Sequence, residues 1–168
     1  MASGTLVSVE EYLSTNYKPA CDYIDGILRQ KPMPTWKHSL TQGQLIVLIN
    51  PRFSKFLAGP ELTLKIRTGR YLVPDVAVQR RDSLQEPYPE APIHLCIKIR
   101  SPEDRMSELF AKCEEYLEWG VESTWIIDPE SRRAWEYCKG QLPTEVAPDG
   151  SLTAGEISIL LADVFSVL

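Results

Sequence analysis

Residues 93–100 constrain the fold more tightly than any other stretch of the chain. Ile93, Leu95, Ile97 and Ile99 alternate with His94, Cys96, Lys98 and Arg100, the period of two that sends successive side chains to opposite faces of a strand. The next residues, Ser101-Pro102-Glu103-Asp104, predict a helix start, with Ser as N-cap, Pro at the first helical position and acids in the first turn. Met106, Leu109, Phe110, Cys113, Tyr116 and Leu117 keep a helical apolar stripe, and Gly120 suits its C-terminal cap. Ser123 to Asp128 reads as a short buried strand. A strand, a crossover helix and a second strand require a sheet with a helix packed on it.

The flanking segments enlarge that sheet. Ser8-Val9-Glu10-Glu11 has capping-box spacing and predicts a short helix through Tyr12 and Leu13. Residues 21–31 predict two strands turning at Asp25-Gly26, and a second helix is expected from about Lys37 to Ile49. Leu62, Leu64 and Ile66 alternate with Thr63, Lys65 and Arg67. We therefore expect residues 61–78 to form one hairpin, turning at Thr68-Gly69-Arg70 and neighbouring the strand at 93–100. Pro74 lacks a donor and belongs at an edge or a bulge. A proline-bearing loop over 82–92, a hairpin from Arg133–Cys138 to Leu142–Val146, and a last apolar strand within 157–168 complete the prediction. The expected fold is a single α/β (α+β) domain over residues 1–168, a central mixed β-sheet flanked by helices with added β-hairpins.

Composition narrows the function. The net charge is −5 and the sequence pI near 5.1, which argues against a general polyanion binder, although a local basic cleft remains compatible with it. Met1 to Glu11 shows no basic and apolar leader, and the apolar runs Leu45–Ile49 and Ile157–Ala162 are too short to span a bilayer. A soluble cytoplasmic protein with no membrane partner is expected. Cys21, Cys96, Cys113 and Cys138 show no metal-type spacing and are expected as reduced thiols, at least three of them buried.

Asp75 is the residue most in need of explanation. It follows Pro74 among apolar Val73, Val76 and Ala77, and a buried carboxylate needs a cation, donors or a metal. An ion pair with a residue such as Arg67 is one answer; a metal or catalytic role is the other. Together with Val9-Glu10-Glu11-Tyr12-Leu13, Asp22-Tyr23-Ile24-Asp25-Gly26, His38, Val73-Pro74-Asp75-Val76-Ala77-Val78, Ser101-Pro102, Lys112, Tyr116, Gly120-Val121 and Trp125-Ile126-Ile127-Asp128-Pro129, its setting resembles the PD-(D/E)xK nuclease superfamily. Within it, the chain resembles the bacterial restriction-endonuclease-like proteins of Uma type.

That resemblance implies a restriction-endonuclease-like core and metal-dependent phosphodiester hydrolysis, with DNA as the expected substrate. Two carboxylates would hold Mg²⁺ or Mn²⁺, and a lysine would position the attacking water. The first acid corresponds to Asp75, the auxiliary acid to Asp22, and the helix lysine to Lys112. The second acid is missing: Lys98 stands where the pattern has Glu, three residues before Ser-Pro, and a shifted register would put Cys96 in the acid position. An ammonium about 4 Å from a divalent ion is repelled by roughly 8 kcal/mol at an effective dielectric near 20. Lys98 is therefore expected to pair with Asp75 and occupy the cation site, unless Glu103, Asp104 or Glu108 substitutes for the acid.

Three functions follow as alternatives: a metal-dependent nuclease using Asp75, Asp22 and Lys98 or Lys112; a degenerate nuclease fold that binds nucleic acid without cutting; and a dimeric interaction module. Lys65, Arg67 and Arg100 are the candidate phosphate-binding residues, within a basic strand region that also holds Arg70, Arg80 and Arg81; a solvated sheet face explains them equally. Cleavage of both strands of a duplex favours a homodimer.

Overall fold

The computed structural model describes residues 6–168. Residues 1–5, where the segment inspected for a leader begins, lie outside the described residues. Helix α1 (Val9–Ser14) starts at Ser8, whose hydroxyl accepts from the Glu11 amide at 3.1 Å. Strands β1 (Cys21–Ile24) and β2 (Ile27–Gln30) turn at Asp25 and Gly26, both with positive φ, 47° and 92°, the combination that a two-residue type I′ hairpin demands. Thr35 caps α2 (Trp36–Arg52) by accepting from the His38 amide.

Then come β3 (Phe56–Pro60), β4 (Leu64–Arg67), β5 (Arg70–Leu72), β6 (Val76–Arg80) and β7 (Leu95–Ile99). Helix α3 (Met106–Trp119) crosses over to β8 (Ser123–Asp128). Strands β9 (Arg133–Cys138) and β10 (Thr144–Glu145) form the expected hairpin; β11 (Ser151–Ala154), β12 (Ile157–Leu160) and α4 (Leu161–Val164) end the chain.

The central sheet runs β10-β9-β8-β7-β6-β3 and is mixed: β7 and β8 are parallel, and the other neighbours are antiparallel. Its two faces are both buried. Leu95, Ile97 and Ile99 pack with Leu45, Leu48 and Ile49 of α2 and with the tail residues Ile157 and Ile159. Cys96 and Ala77 face the other way, toward Tyr116 of α3. The two helices therefore cover opposite faces of the sheet. A second, antiparallel sheet runs β2-β1-β5-β4.

Three expectations change and one strand is added. The segment 61–78 is two structures rather than one hairpin: β4 and β5 pair in the small sheet, while β6 belongs to the central one. Pro74 sits at the break, where a residue without an amide proton cannot continue a ladder. Strand β3, for which the sequence predicts no element, pairs along β6. The third helix begins at Met106, not after Ser101. The Asp104 carboxylate accepts from the Ser101 amide at 2.8 Å, and the Asp104 amide donates to the Ser101 carbonyl, a local turn that competes with helix initiation. Ile93 precedes β7 and packs with Cys96 and Tyr116, on the face opposite Leu95.

The cysteines are free, with Cys21, Cys96 and Cys113 buried and Cys138 partly so. Among the described residues no helix is long and apolar enough to cross a membrane.

Candidate functional site

The break between the sheets creates the site. With Val76 opposite Ile97 in the β6–β7 register, the next step outward sets Asp75 opposite Lys98. The Asp75 amide still donates to the Ile97 carbonyl at 3.0 Å, and its own carbonyl accepts from Gln42 Nε2 of α2 at 2.7 Å. The backbone is therefore held from both sides, and the side chain is wholly buried.

Every oxygen of that carboxylate is engaged. Oδ1 accepts from Lys31 Nζ at 2.5 Å and lies 3.5 Å from His38 Nε2. Oδ2 accepts from the Ile99 amide at 2.7 Å and is ion-paired with Lys98 Nζ at 3.1 Å. Burial alone would raise the Asp75 carboxyl; Lys98 and Lys31, with His38, overcome it and hold the group well below the usual carboxylate range. For Lys98, burial favours the neutral amine, but Asp75 and Asp22 outweigh it and raise its pKa. Both partners are ionised at neutral pH. Burial pushes the neighbouring Cys113 thiol up to about 11 and Cys96 well above its ordinary value, so neither thiol contributes charge.

Asp22 and Lys112 form a second ion pair, linked to the first through the charge of Asp22 on Lys98. Asp22 Oδ1 accepts from the Val73 amide at 2.8 Å, and Oδ2 from Lys112 Nζ. The carboxylate thus supplies the partner that Val73 loses where the ladder breaks at Pro74. A cleft of about 390 Å³ opens over the first centre, lined among others by Lys31, His38, Glu61, Asp75, Lys98 and Asp104.

The structure brings together Asp75 and Lys98, as the sequence pattern led us to expect, and pairs Asp22 with Lys112. It does not bring Lys65, Arg67 or Arg100 to that cleft. Lys65 pairs with Glu90 at 2.9 Å, Arg67 with Asp25 at 3.1 Å and Arg100 with Asp128 at 3.0 Å. Arg67 is consequently not the partner of Asp75. Of the acids considered as substitutes, Asp104 reaches the cleft but spends an oxygen on the Ser101 amide, while Glu103 and Glu108 are exposed. Lys31, Glu61 and Gln42 were not anticipated, and His38 was marked only by position.

The donor set does not fit a divalent metal. Mg²⁺ and Mn²⁺ need several free oxygens with negative charge in excess, whereas both oxygens of Asp75 and of Asp22 face ammonium or amide donors. Among the described residues no group of three His, Cys, Asp or Glu side chains is arranged to hold an ion. Nor is His38 prepared as a ligand: its Nδ1 is buried without a hydrogen-bond partner, where metal-bound histidines are normally oriented through that second nitrogen.

The mixed sheet with helices on both faces, with its cleft where the chain changes sheets at Pro74-Asp75, is a nuclease fold by its likeness to a solved structure. The chain belongs to the Uma2 family, “Putative restriction endonuclease”, whose model matches residues 9–163. It is also similar to the crystal structure of “a putative nuclease belonging to DUF820” from Anabaena variabilis ATCC 29413. That likeness has a TM-score of 0.80 at 26% identity and covers 95% of this chain and 98% of the other. No curated protein matches the chain.

Proposed function

We propose that this chain is a nuclease-family protein whose centre has exchanged its divalent metal for lysine ammonium groups, so that metal-dependent hydrolysis of DNA is strongly reduced. The observation that carries the reading is the Asp75–Lys98 contact at 3.1 Å: a cation stands where the family pattern has the second acid. The family and its solved relative support the nuclease ancestry; the occupied carboxylates support the loss of metal. No catalytic step is assigned to Asp75, Lys98 or Lys112 in this state.

The test is Mn²⁺ titration beside plasmid and single-strand cleavage, comparing wild type, Lys98→Glu and Asp75→Asn. Wild type is expected to bind Mn²⁺ poorly and cut little. Efficient cutting by wild type that disappears in Asp75→Asn would overturn the reading.

A second reading has its own support. Because Lys65, Arg67 and Arg100 are each neutralised by an acid and the net charge is −5, the chain suits a non-polyanionic partner, and we propose a homodimeric interaction module as the alternative. Sedimentation at micromolar concentration that finds only monomer would remove it.

A further inference from the structure

The shortest contact to Asp75 comes from Lys31, which is not among the residues that carry the family resemblance. Lys31 directly follows β2, and its amide donates to the Ala20 carbonyl at 2.9 Å, which carries the β1–β2 ladder one residue further before Pro32 ends it. The backbone is thereby anchored where the side chain leaves it. That side chain is only 11% exposed, and its ammonium sits 2.5 Å from Asp75 Oδ1 and 3.5 Å from Glu61 Oε1. Lys98 approaches the opposite oxygen, from β7. The two cations come from different sheets and take different oxygens of one carboxylate, so removing one leaves the other in place.

We propose that Lys31 is a second, independent lock on this centre: it fills the cation position at Oδ1, so that restoring an acid at position 98 does not by itself reopen the site to Mg²⁺ or Mn²⁺. The inference rests on the reading that the centre has lost its metal, and it adds the residue that keeps the metal out. In a Lys98→Glu protein the new carboxylate would approach Asp75 from the Oδ2 side, while the Lys31 ammonium stayed on Oδ1. An incoming ion would then meet an Asp75 whose charge is already neutralised by a buried, anchored cation. Glu61 cannot draw Lys31 away without loss, since at 46% side-chain exposure it offers the ammonium a wetter, weaker partner than Asp75.

The experiment is Mn²⁺ binding to the full chain, read by calorimetry and by loss of the free-ion paramagnetic signal. Wild type, Lys31→Met, Lys98→Glu and the double variant are compared, each first checked for folding by circular dichroism; Lys31→Gln replaces Lys31→Met in both single and double forms if the methionine protein does not fold. Wild type and Lys31→Met are expected to bind no Mn²⁺ specifically. Lys98→Glu should bind weakly, and the double variant at least about tenfold more tightly, as expected when ligand charge increases around an oxygen site. If Lys98→Glu binds as tightly as the double variant, Lys31 is not a lock, and the metal-loss reading stands without it. If the folded double variant fails to bind, cation occupancy is not what excludes the metal and the proposal falls. If wild type already binds as tightly as the double variant, the underlying metal-loss reading falls with it.

Discussion

Asp75 and Asp22 are both buried, both bridge a strand break to a backbone amide and both meet lysine, but they are balanced differently. Asp22 pairs directly with one ammonium, that of Lys112, and one amide, that of Val73, and acts on Lys98 only through its charge. Asp75 faces two ammonium groups and an amide, with His38 at the margin and Glu61 close enough to Lys31 to restore neutrality from the rim. The first arrangement is an ordinary ion pair. In the second, cations crowd a single carboxylate in the position where a metal site would collect carboxylates around a single cation. On the proposed reading, the contrast places the loss of metal in the neighbours of Asp75 and not in the aspartate itself.

The most forceful way to break the comparison is Asp75→Ala. It would leave Lys98 largely buried without its direct counter-ion and Lys31 with only the exposed Glu61, and stripping one partner from a buried pair typically costs about 3–5 kcal/mol. Urea unfolding should show a loss of that order, larger than for any other single change at these two centres. Acid titrates the same contact. The folded pKa of Asp75 lies below its unfolded value, so its contribution is fully present above the unfolded carboxylate pKa, about 3.9, and is lost as pH falls below that toward the folded value. Wild-type stability should fall steeply in acid, and Asp75→Ala should flatten that fall. If Asp75→Ala costs no more than Asp22→Ala, the two centres are alike and the comparison fails.

Periodicity made part of this legible. Strand β7 and helix α3 were readable because each keeps its own apolar period, and Asp75 stood out because a carboxylate among Val73, Val76 and Ala77 has no local means of being satisfied. Lys98 followed from its place in the family pattern. Lys31 did not, because it meets Asp75 across a sequence separation of 44, through the docking of one hairpin beside a break in another sheet, and no local pattern encodes that docking. The same break hid the division of residues 61–78: Pro74 signalled a missing ladder bond, but not that the chain changes sheets there. At Ser101 the capping signal was genuine in residue type yet answered by Asp104, whose side chain reaches the Ser101 amide before a helix can use it.

Asp22→Ala should have an intermediate effect. It removes the acceptor of the Val73 amide, and Val73 is only 3% exposed, so that donor is left unsatisfied at about 1–3 kcal/mol. Urea unfolding measures the sum, and hydrogen exchange at Val73 isolates the cause: its amide should exchange faster than in wild type, while the Ile99 amide, held by Asp75, should be little altered. Equal acceleration at both amides would mean that the two centres unfold as one unit.

The smallest effect is expected from Lys112→Met. Lys112 is one quarter exposed along its side chain although Asp22 is largely buried, so water already competes for the ammonium and its loss should cost well below the roughly 3–5 kcal/mol of a fully buried pair. Methionine retains much of the packing of the lysine stem along α3. Asp22 would keep the Val73 amide, and water entering through the space vacated by the ammonium would solvate its second oxygen. Nothing equivalent protects Asp75, which has no exposed surface at all. A loss in urea unfolding below that of Asp22→Ala, with Val73 exchange unchanged, would establish that Asp22 is held chiefly by the amide and that its lysine is dispensable. A loss as large as that of Asp22→Ala would reverse the assignment: Lys112 would then be as necessary to Asp22 as the two lysines are to Asp75, and the contrast between an ordinary pair and a cation-filled metal position would rest on the number of lysines alone.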